Sequence, residues 1–251
     1  MVAKACSMCR AVHTEVSIKS LKYPDPSVLK VMPVFNGLTS TELSKIISCA
    51  SVRHWDDGAS IFAAGDPPRR IFLLLDGIVR VVRPQINGTQ IVPFHIPAGE
   101  FFGVAIVLGF NTYPATAVAA SRCMTLSWLS ELWPGLTSEF PVLQNGVGRN
   151  IGWRMGALLE HIEGLTNRSV EQRLAAALLL YDDRIKQTGT TGEHLPMKLS
   201  RSTLAEMTGS TLYTVCRIMS AWRTRSFIGG SRGRVTILSK GDLVSIRDSP
   251  H

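Results

Sequence analysis

Arg217 is the side chain in this sequence best placed to do specific chemistry. It shares the face of a predicted helix, Leu212 to about Arg225, with Tyr213, Thr214 and Cys216, while Val215, Ile218, Met219 and Trp222 fall on the opposite face at three- and four-residue spacing. The planar guanidinium of Arg217 can give two parallel hydrogen bonds to a guanine edge, worth roughly 1–3 kcal/mol of discrimination. Arg201, Arg223, Arg225, Arg232 and Arg234 flank it, where contacts to phosphates would be needed. A pair of packed helices in an enzyme, with Arg217 in a surface ion pair, is the competing reading; the flanking arginines weigh against it.

A second group is Cys6-x-x-Cys9. Two thiolates at that spacing can hold half of a zinc or iron–sulfur site, because both sulfurs point the same way around a turn. Two more ligands are required. His13 is near, whereas Cys49 and Cys123 are distant in sequence, so a thiol switch or two incidental thiols are the alternatives. Five cysteines, Cys216 among them, form no even disulfide framework and are expected to be reduced. No nucleophile–base constellation or phosphate-cradling loop has usable spacing, so no catalysis is expected. An enzyme carrying a basic accessory domain is the rival from another class.

Arg217 needs a scaffold that projects it. Ser200 can cap a short helix over Arg201–Thr208, Gly209-Ser210 supplies a turn, and Thr211 can cap the helix that carries Arg217. Two helices with a short Gly-containing turn describe a helix-turn-helix, in which Arg201, Ser202, Thr211, Leu212, Tyr213, Cys216 and Arg217 would face DNA. Phe227-Ile228 and Arg234–Leu238 read as two strands around a Gly-rich loop, a wing that places Arg232 at its tip.

Upstream, Ser169 can cap a helix from Val170 to about Lys186. Before it, Leu143, Val147, Asn150/Ile151, Arg154, Leu158, His161/Ile162 and Leu165 recur at alternating steps of three and four. That seam suits a contact between two helices. A helix lying on its own sheet is the other reading; the polar interruptions Asn150, Arg154 and His161 favour a dimer seam. Still earlier, Thr39 can cap a short helix holding Leu43, Ile46 and Ile47. Short strands follow at Val52–Trp55, Ser60–Phe62, Ile71–Leu75, Ile78–Arg83, Ile91–His95 and Thr116–Ala119, divided by glycines, with Asp76-Gly77 and Asn87-Gly88 as turn dipeptides. Regular short strands of this kind imply an antiparallel sandwich or barrel.

The composition agrees. The 251 residues are 45% hydrophobic and 18% charged, which supports a packed core and argues against disorder. Of the net charge of +8, most lies between Thr166 and Arg234, the segment holding the helix-turn-helix. No apolar run approaches a membrane span, and MVAKACSMCRAVHTEV lacks the apolar core of a secretory signal, so a cytoplasmic protein without a membrane partner is expected.

Glycine-punctuated strands, a long helix and a winged helix-turn-helix, in this order, resemble the CRP/FNR family of bacterial transcription regulators over about residues 31–240. The resemblance rests on Gly58-Ala59-Ser60-Ile61-Phe62-Ala63-Ala64-Gly65-Asp66, Leu75-Asp76-Gly77-Ile78-Val79-Arg80, Pro97-Ala98-Gly99-Glu100-Phe101-Phe102-Gly103 and the helix-turn-helix. It implies an α+β chain with an N-terminal antiparallel β-roll of the cyclic-nucleotide-binding kind, a long dimerisation helix and a C-terminal winged helix-turn-helix. The divisions would be an extension at 1–30, an effector-sensing β-roll at 31–135, a dimerisation helix at 136–166, a DNA-binding domain at 167–240 and a tail at 241–251. It further implies a homodimer on a two-fold symmetric double-stranded operator, with RNA polymerase as a candidate partner. Tyr213, Cys216 and Arg217 occupy the family's base-reading positions. Arg217 matches the family's arginine, whereas Tyr213 replaces a common glutamate and Cys216 a serine or glycine.

The same resemblance places an effector pocket at Gly99, Glu100, Tyr113, Pro114 and Thr116. Cyclic-AMP-binding members hold the phosphate with an Arg-Ser pair, and Tyr113-Pro114-Ala115-Thr116-Ala117 stands there instead, so cAMP is disfavoured. In the FNR branch an iron–sulfur cluster uses three N-terminal cysteines and one in the β-roll. Cys6 and Cys9 match two of them, Glu15 stands where the third is expected, and Cys123 falls about one position from the fourth. A redox or metal sensor of that type is the alternative signal reading. For haem, used by other branches, His95 and His161 are the candidate ligands. The effector itself is not identified by the sequence.

Overall fold

A computed structural model describes residues 29–30, 32–84, 90–187, 199–230 and 234–249. Residues 1–28, with Cys6, Cys9, His13 and Glu15, lie outside the described residues, as do Asn87-Gly88 and the wing tip with Arg232.

A short helix, α1 (Ser40–Ser48), opens with a capping box in which Thr39 and Glu42 satisfy each other's backbone N–H. Eight strands follow: β1 (Ser51–Trp55), β2 (Ser60–Phe62), β3 (Arg70–Asp76), β4 (Ile78–Pro84), β5 (Gln90–Pro97), β6 (Phe101–Phe102), β7 (Thr116–Ala119) and β8 (Cys123–Leu129). They form two antiparallel four-stranded sheets, ordered β1-β8-β3-β6 and β2-β7-β4-β5. The predicted strands are all present, and β6 and β8 are additional.

Strand β3 shows how two covered faces are written into one run. Phe72 and Leu74 point between the sheets, toward Val79, Ile96, Phe102 and Ala117. Ile71, Leu73 and Leu75 point the other way, into a core with Trp128 of β8 and with Phe35, Ile46 and Leu143 from the helical layer. Strand β8 is the partner of both β1 and β3, and its polar Thr125 and Ser127 are buried among apolar neighbours. They are satisfied there: Thr125 Oγ1 accepts from Trp55 Nε1 at 3.0 Å, and Ser127 Oγ accepts from Arg70 Nη1 at 3.0 Å. The β3–β4 turn needs glycine at Gly77, whose φ is +92°; a Cβ there would sit 2.5 Å from the Arg122 carbonyl oxygen.

Two helices, α2 (Trp133–Glu139) and α3 (Pro141–Asn167), leave the β-roll. The first half of α3 packs on its own protomer, burying Leu143, Val147 and Asn150. Asn150 Oδ1 accepts from Phe101 N at 2.8 Å, and Arg154 pairs with Glu100. This corrects the seam reading: Asn150 and Arg154 interrupt the apolar pattern because they bind the chain's own β-roll. Farther along, Met155, Leu159, Ile162 and Leu165 are large apolar side chains left more than half exposed.

The C-terminal unit comprises α4 (Val170–Gln187), α5 (Arg201–Thr208), α6 (Leu212–Thr224), the antiparallel pair β9 (Ile228–Gly229) and β10 (Thr236–Ile237), and α7 (Lys240–Asp248). Its core joins Leu174, Leu178, Leu204, Val215, Trp222, Ile237 and Leu243. The segment expected to be a tail is therefore helical over most of its length and places Leu243 in that core; with its single strongly buried residue, it carries little apolar periodicity.

Candidate nucleic-acid interface and effector pocket

Helix α5 starts at Ser200, whose Oγ accepts from Thr203 N at 3.0 Å, and ends at Gly209 in the left-handed region with φ +56°. Helix α6 starts at Thr211, whose Oγ1 accepts from Thr214 N at 3.2 Å. Both caps and the turn fall where the residue types require them. Val215, Ile218, Met219 and Trp222 are buried, and Trp222 Nε1 donates to Glu171 Oε1 at 2.8 Å, which ties α6 to α4. The rotation of α6 is fixed by that buried face. It leaves Leu212 52% and Tyr213 77% exposed, with Arg217 exposed one turn on.

Arg201 and Ser202, on α5, are also exposed, and Arg201 Nη1 lies 3.6 Å from Cys216 Sγ. A groove between α6 and the wing is lined by Arg201, Ser202, Leu212, Cys216, Arg223 and Arg234. Of the predicted interface residues, Arg201, Ser202, Leu212 and Cys216 line this groove, and Thr211, Tyr213 and Arg217 are exposed on α6 and its cap. Arg223 was read only as a phosphate contact from sequence; its Nε is buried and lacks a hydrogen-bond partner among the described residues.

The predicted effector residues do not all converge. Tyr113 and Pro114 line a cavity of about 230 Å³ in the β-roll, walled by Phe62, Phe94, Phe102, Met155 and Leu158. Thr116 Oγ1 instead accepts from Ala64 N at 3.0 Å, and Gly99 forms the turn after β5 with φ +89°. Glu100 is fully buried: Oε1 accepts from Arg184 Nε at 2.7 Å, and Oε2 from Arg154 Nη2 at 2.9 Å and Nε at 3.2 Å. Arg184 also stacks on the Trp153 ring at 4.9 Å. The sequence marks Glu100 only as a pocket residue, because its two partners lie 54 and 84 positions away.

Glu206, on α5, makes a second polar junction. Its carboxylate lies 3.1 Å from Arg80 Nη1 on β4 and 3.1 Å from His95 Nε2 on β5. The hydrogen bond from His95 foremost, with the Arg80 charge adding to it, holds the Glu206 carboxyl below the usual glutamate range. His95 is thereby engaged. His161 lies with it along a separate small cavity between β5, α3, α4 and α5, and burial, aided by Arg173, pushes the His161 imidazole down. Cys123 Sγ donates to the Ile78 and Ser121 carbonyls at 3.1 Å each, and burial pushes this thiol up, as expected for an inert core cysteine. No cluster of three or more His, Cys, Asp or Glu side chains suited to a metal ion occurs among the described residues.

Two family models divide the chain between them: a cyclic nucleotide-binding domain matches residues 52–131, and a Crp-like helix-turn-helix domain matches 172–246. The chain belongs to the CRP/FNR family. It is a transcription regulator of the CRP/FNR type, with the β-roll and the helix-turn-helix of that family. A global nitrogen regulator of Synechococcus elongatus is 27% identical over 190 residues, covering 75% of this chain and 86% of the relative. The nitrogen fixation regulation protein FixK of Bradyrhizobium diazoefficiens is 24% identical over 84% of this chain and 87% of its own length. Among solved structures, FixK2 from Bradyrhizobium japonicum superposes with a TM-score of 0.67 at 16% identity, covering 80% of this chain and 99% of the other. Among the described residues, no helix of this CRP/FNR-type chain is long and apolar enough to cross a membrane.

Proposed function

We propose that this chain acts as a homodimer that binds a two-fold symmetric duplex in a sequence-specific way and alters transcription when the β-roll receives an effector other than cAMP. The observation that carries the reading is the orientation of α6: its apolar face is consumed by the core, and Tyr213 and Arg217 are left projecting into solvent. A helix of this size enters the major groove, and an arginine on its free face reads guanine. Tyr213 and Cys216 would contact neighbouring base edges, while Arg201, Ser202, Thr211, Leu212, Arg223 and Arg232 would hold the backbone in register.

Dimerisation is supported by Met155, Leu159, Ile162 and Leu165, an apolar stripe along the second half of α3 that the protomer does not cover. In this reading two copies of α3 pair along the stripe, and the two α6 helices stand one helical turn apart on DNA. RNA polymerase and a cytoplasmic setting belong to the same reading. Its test is fluorescence anisotropy on a duplex selected by the purified chain and on a scrambled duplex. Arg217→Ala should cost about 1–3 kcal/mol on the selected duplex and almost nothing on the scrambled one. Equal loss on both would reduce Arg217 to a phosphate contact and remove the basis for base reading.

A further inference from the structure

The family's cyclic nucleotide does not fit the β-roll cavity of this chain. A cyclic nucleotide brings a phosphate charge and ribose hydroxyls, which need donors and acceptors when buried. The polar side chains in the cavity wall are Tyr113 and Arg154. The Tyr113 hydroxyl donates to the Arg70 carbonyl at 2.6 Å and accepts from Arg70 N at 3.3 Å. Arg154 donates through Nε and Nη2 to Glu100, and through Nη2 also to the Phe101 carbonyl. Glu100, the family's acidic residue, is consumed by Arg154 and Arg184. What faces the cavity is otherwise hydrocarbon and aromatic.

From this we infer that the β-roll cavity takes a small, neutral, flat aromatic molecule. The inference rests on the effector-receiving role proposed above for the β-roll and specifies its ligand class. Phe62 stacks on Tyr113 with centroids 3.8 Å apart and rings 17° from parallel, and Phe102 continues the stack at 6.2 Å. Phe62 and Tyr113 cover one face of each other, and the ring faces and edges that remain give a planar aromatic molecule offset-stacked and edge-to-face contacts. A dry apolar cavity of about 150 Å³ admits benzene; the volume of about 230 Å³ here suits two fused rings.

The opposite wall gives the occupant an audience. Met155 and Leu158 on α3 line the cavity, and Arg154, beside them on the same helix, holds the Glu100 carboxylate whose other oxygen binds Arg184 on α4. A molecule seated against α3 therefore touches the helix that carries the exposed stripe and the ion pair that joins the β-roll to the DNA-binding unit.

Titration of the full-length protein with 1-naphthylamine, a two-ring aromatic that is neutral at pH 7 and whose emission shifts to the blue in apolar surroundings, tests this. The expected result is saturable binding of one probe per chain, displaced by naphthalene and not by cAMP or by the equally shaped but charged 2-naphthoate. Ala115→Trp, which fills the cavity from its loop, should weaken binding at least tenfold with an unchanged circular dichroism spectrum. Should that variant misfold, the competition among naphthalene, 2-naphthoate and cAMP decides alone. Displacement by cAMP or 2-naphthoate as effective as that by naphthalene would overturn the inference. So would non-saturable uptake, or full binding by folded Ala115→Trp, which would put the probe on the exposed α3 stripe. Sequence-specific duplex binding, measured on the same preparation, keeps the two readings apart. If it persists without probe binding, only the ligand class fails; if it is absent while the probe binds, the regulator reading fails.

Discussion

Glu100 carries two arginines and is itself fully buried, so its removal leaves two guanidinium groups, each nearly enclosed, without their carboxylate. Breaking a buried ion pair from one side costs about 3–5 kcal/mol, well above the typical single substitution. Glu100→Ala is expected to lose that much stability in urea unfolding, and a loss under 1 kcal/mol would show that water replaces the carboxylate. From the sequence, the caps at Thr39, Ser200 and Thr211 and the face of α6 were legible, because each depends on residues within four positions of one another. Asn150 and Arg154 were misplaced, since a polar residue in an apolar seam gives no sign of whether its partner lies in the same chain, and the two arginines on Glu100 are too far along the chain to be read from its neighbours. The thiols of Cys6 and Cys9 stand outside the described residues, and the pairing of Cys123 with two carbonyls is that of a core residue.

Among the elements, the junction between β4–β5 and α5 is the contact most open to chemical control. Glu206 binds Arg80 and His95, and its carboxyl is held below the usual glutamate range by these neighbours. A depressed folded-state value means the contribution is fully present above the ordinary glutamate value and disappears as pH falls through the depressed one. Urea midpoints measured between about pH 6 and pH 3 should therefore fall more steeply for the native chain than for Glu206→Gln. Parallel slopes would mean the carboxylate gains nothing from the junction. Strand β8 shows why part of the sheet was hidden from sequence: a central strand buried on both faces can carry Thr125 and Ser127 when neighbouring strands supply partners, which erases both alternation and apolar run. Helix α7 was hidden for the opposite reason, since Leu243 is the one residue it buries fully.

At the scale of the molecule, α3 serves both units. Its first half completes the β-roll core with Leu143 and Val147, and its second half exposes Met155, Leu159, Ile162 and Leu165. A chain that leaves four large apolar side chains along one helix has a face to cover, and in the homodimer proposed above a second copy would cover it symmetrically. Leu159→Glu places a charge at the middle of that stripe without touching the buried half. Sedimentation should then show a monomer whose circular dichroism spectrum matches the parent and whose affinity for the selected duplex falls by two orders of magnitude or more. A dimer that survives Leu159→Glu would locate the interface elsewhere. The order of parts, strands before a long helix before a winged unit, was legible because each part has its own period and punctuation. How the parts lean on one another, through Glu100 and Glu206, was not, because those contacts span 54 to 126 positions.

Selection of bound duplexes from a random pool by the purified full-length chain, followed by sequencing, bears most directly on the placement of α6 in the major groove of a symmetric site. The prediction is an inverted repeat with half-site centres about 10–10.5 base pairs apart, or a multiple of that, containing a G·C pair that Arg217→Ala no longer selects. Recovery of unrelated sequences, or of a single unrepeated motif indifferent to Arg217, would contradict it.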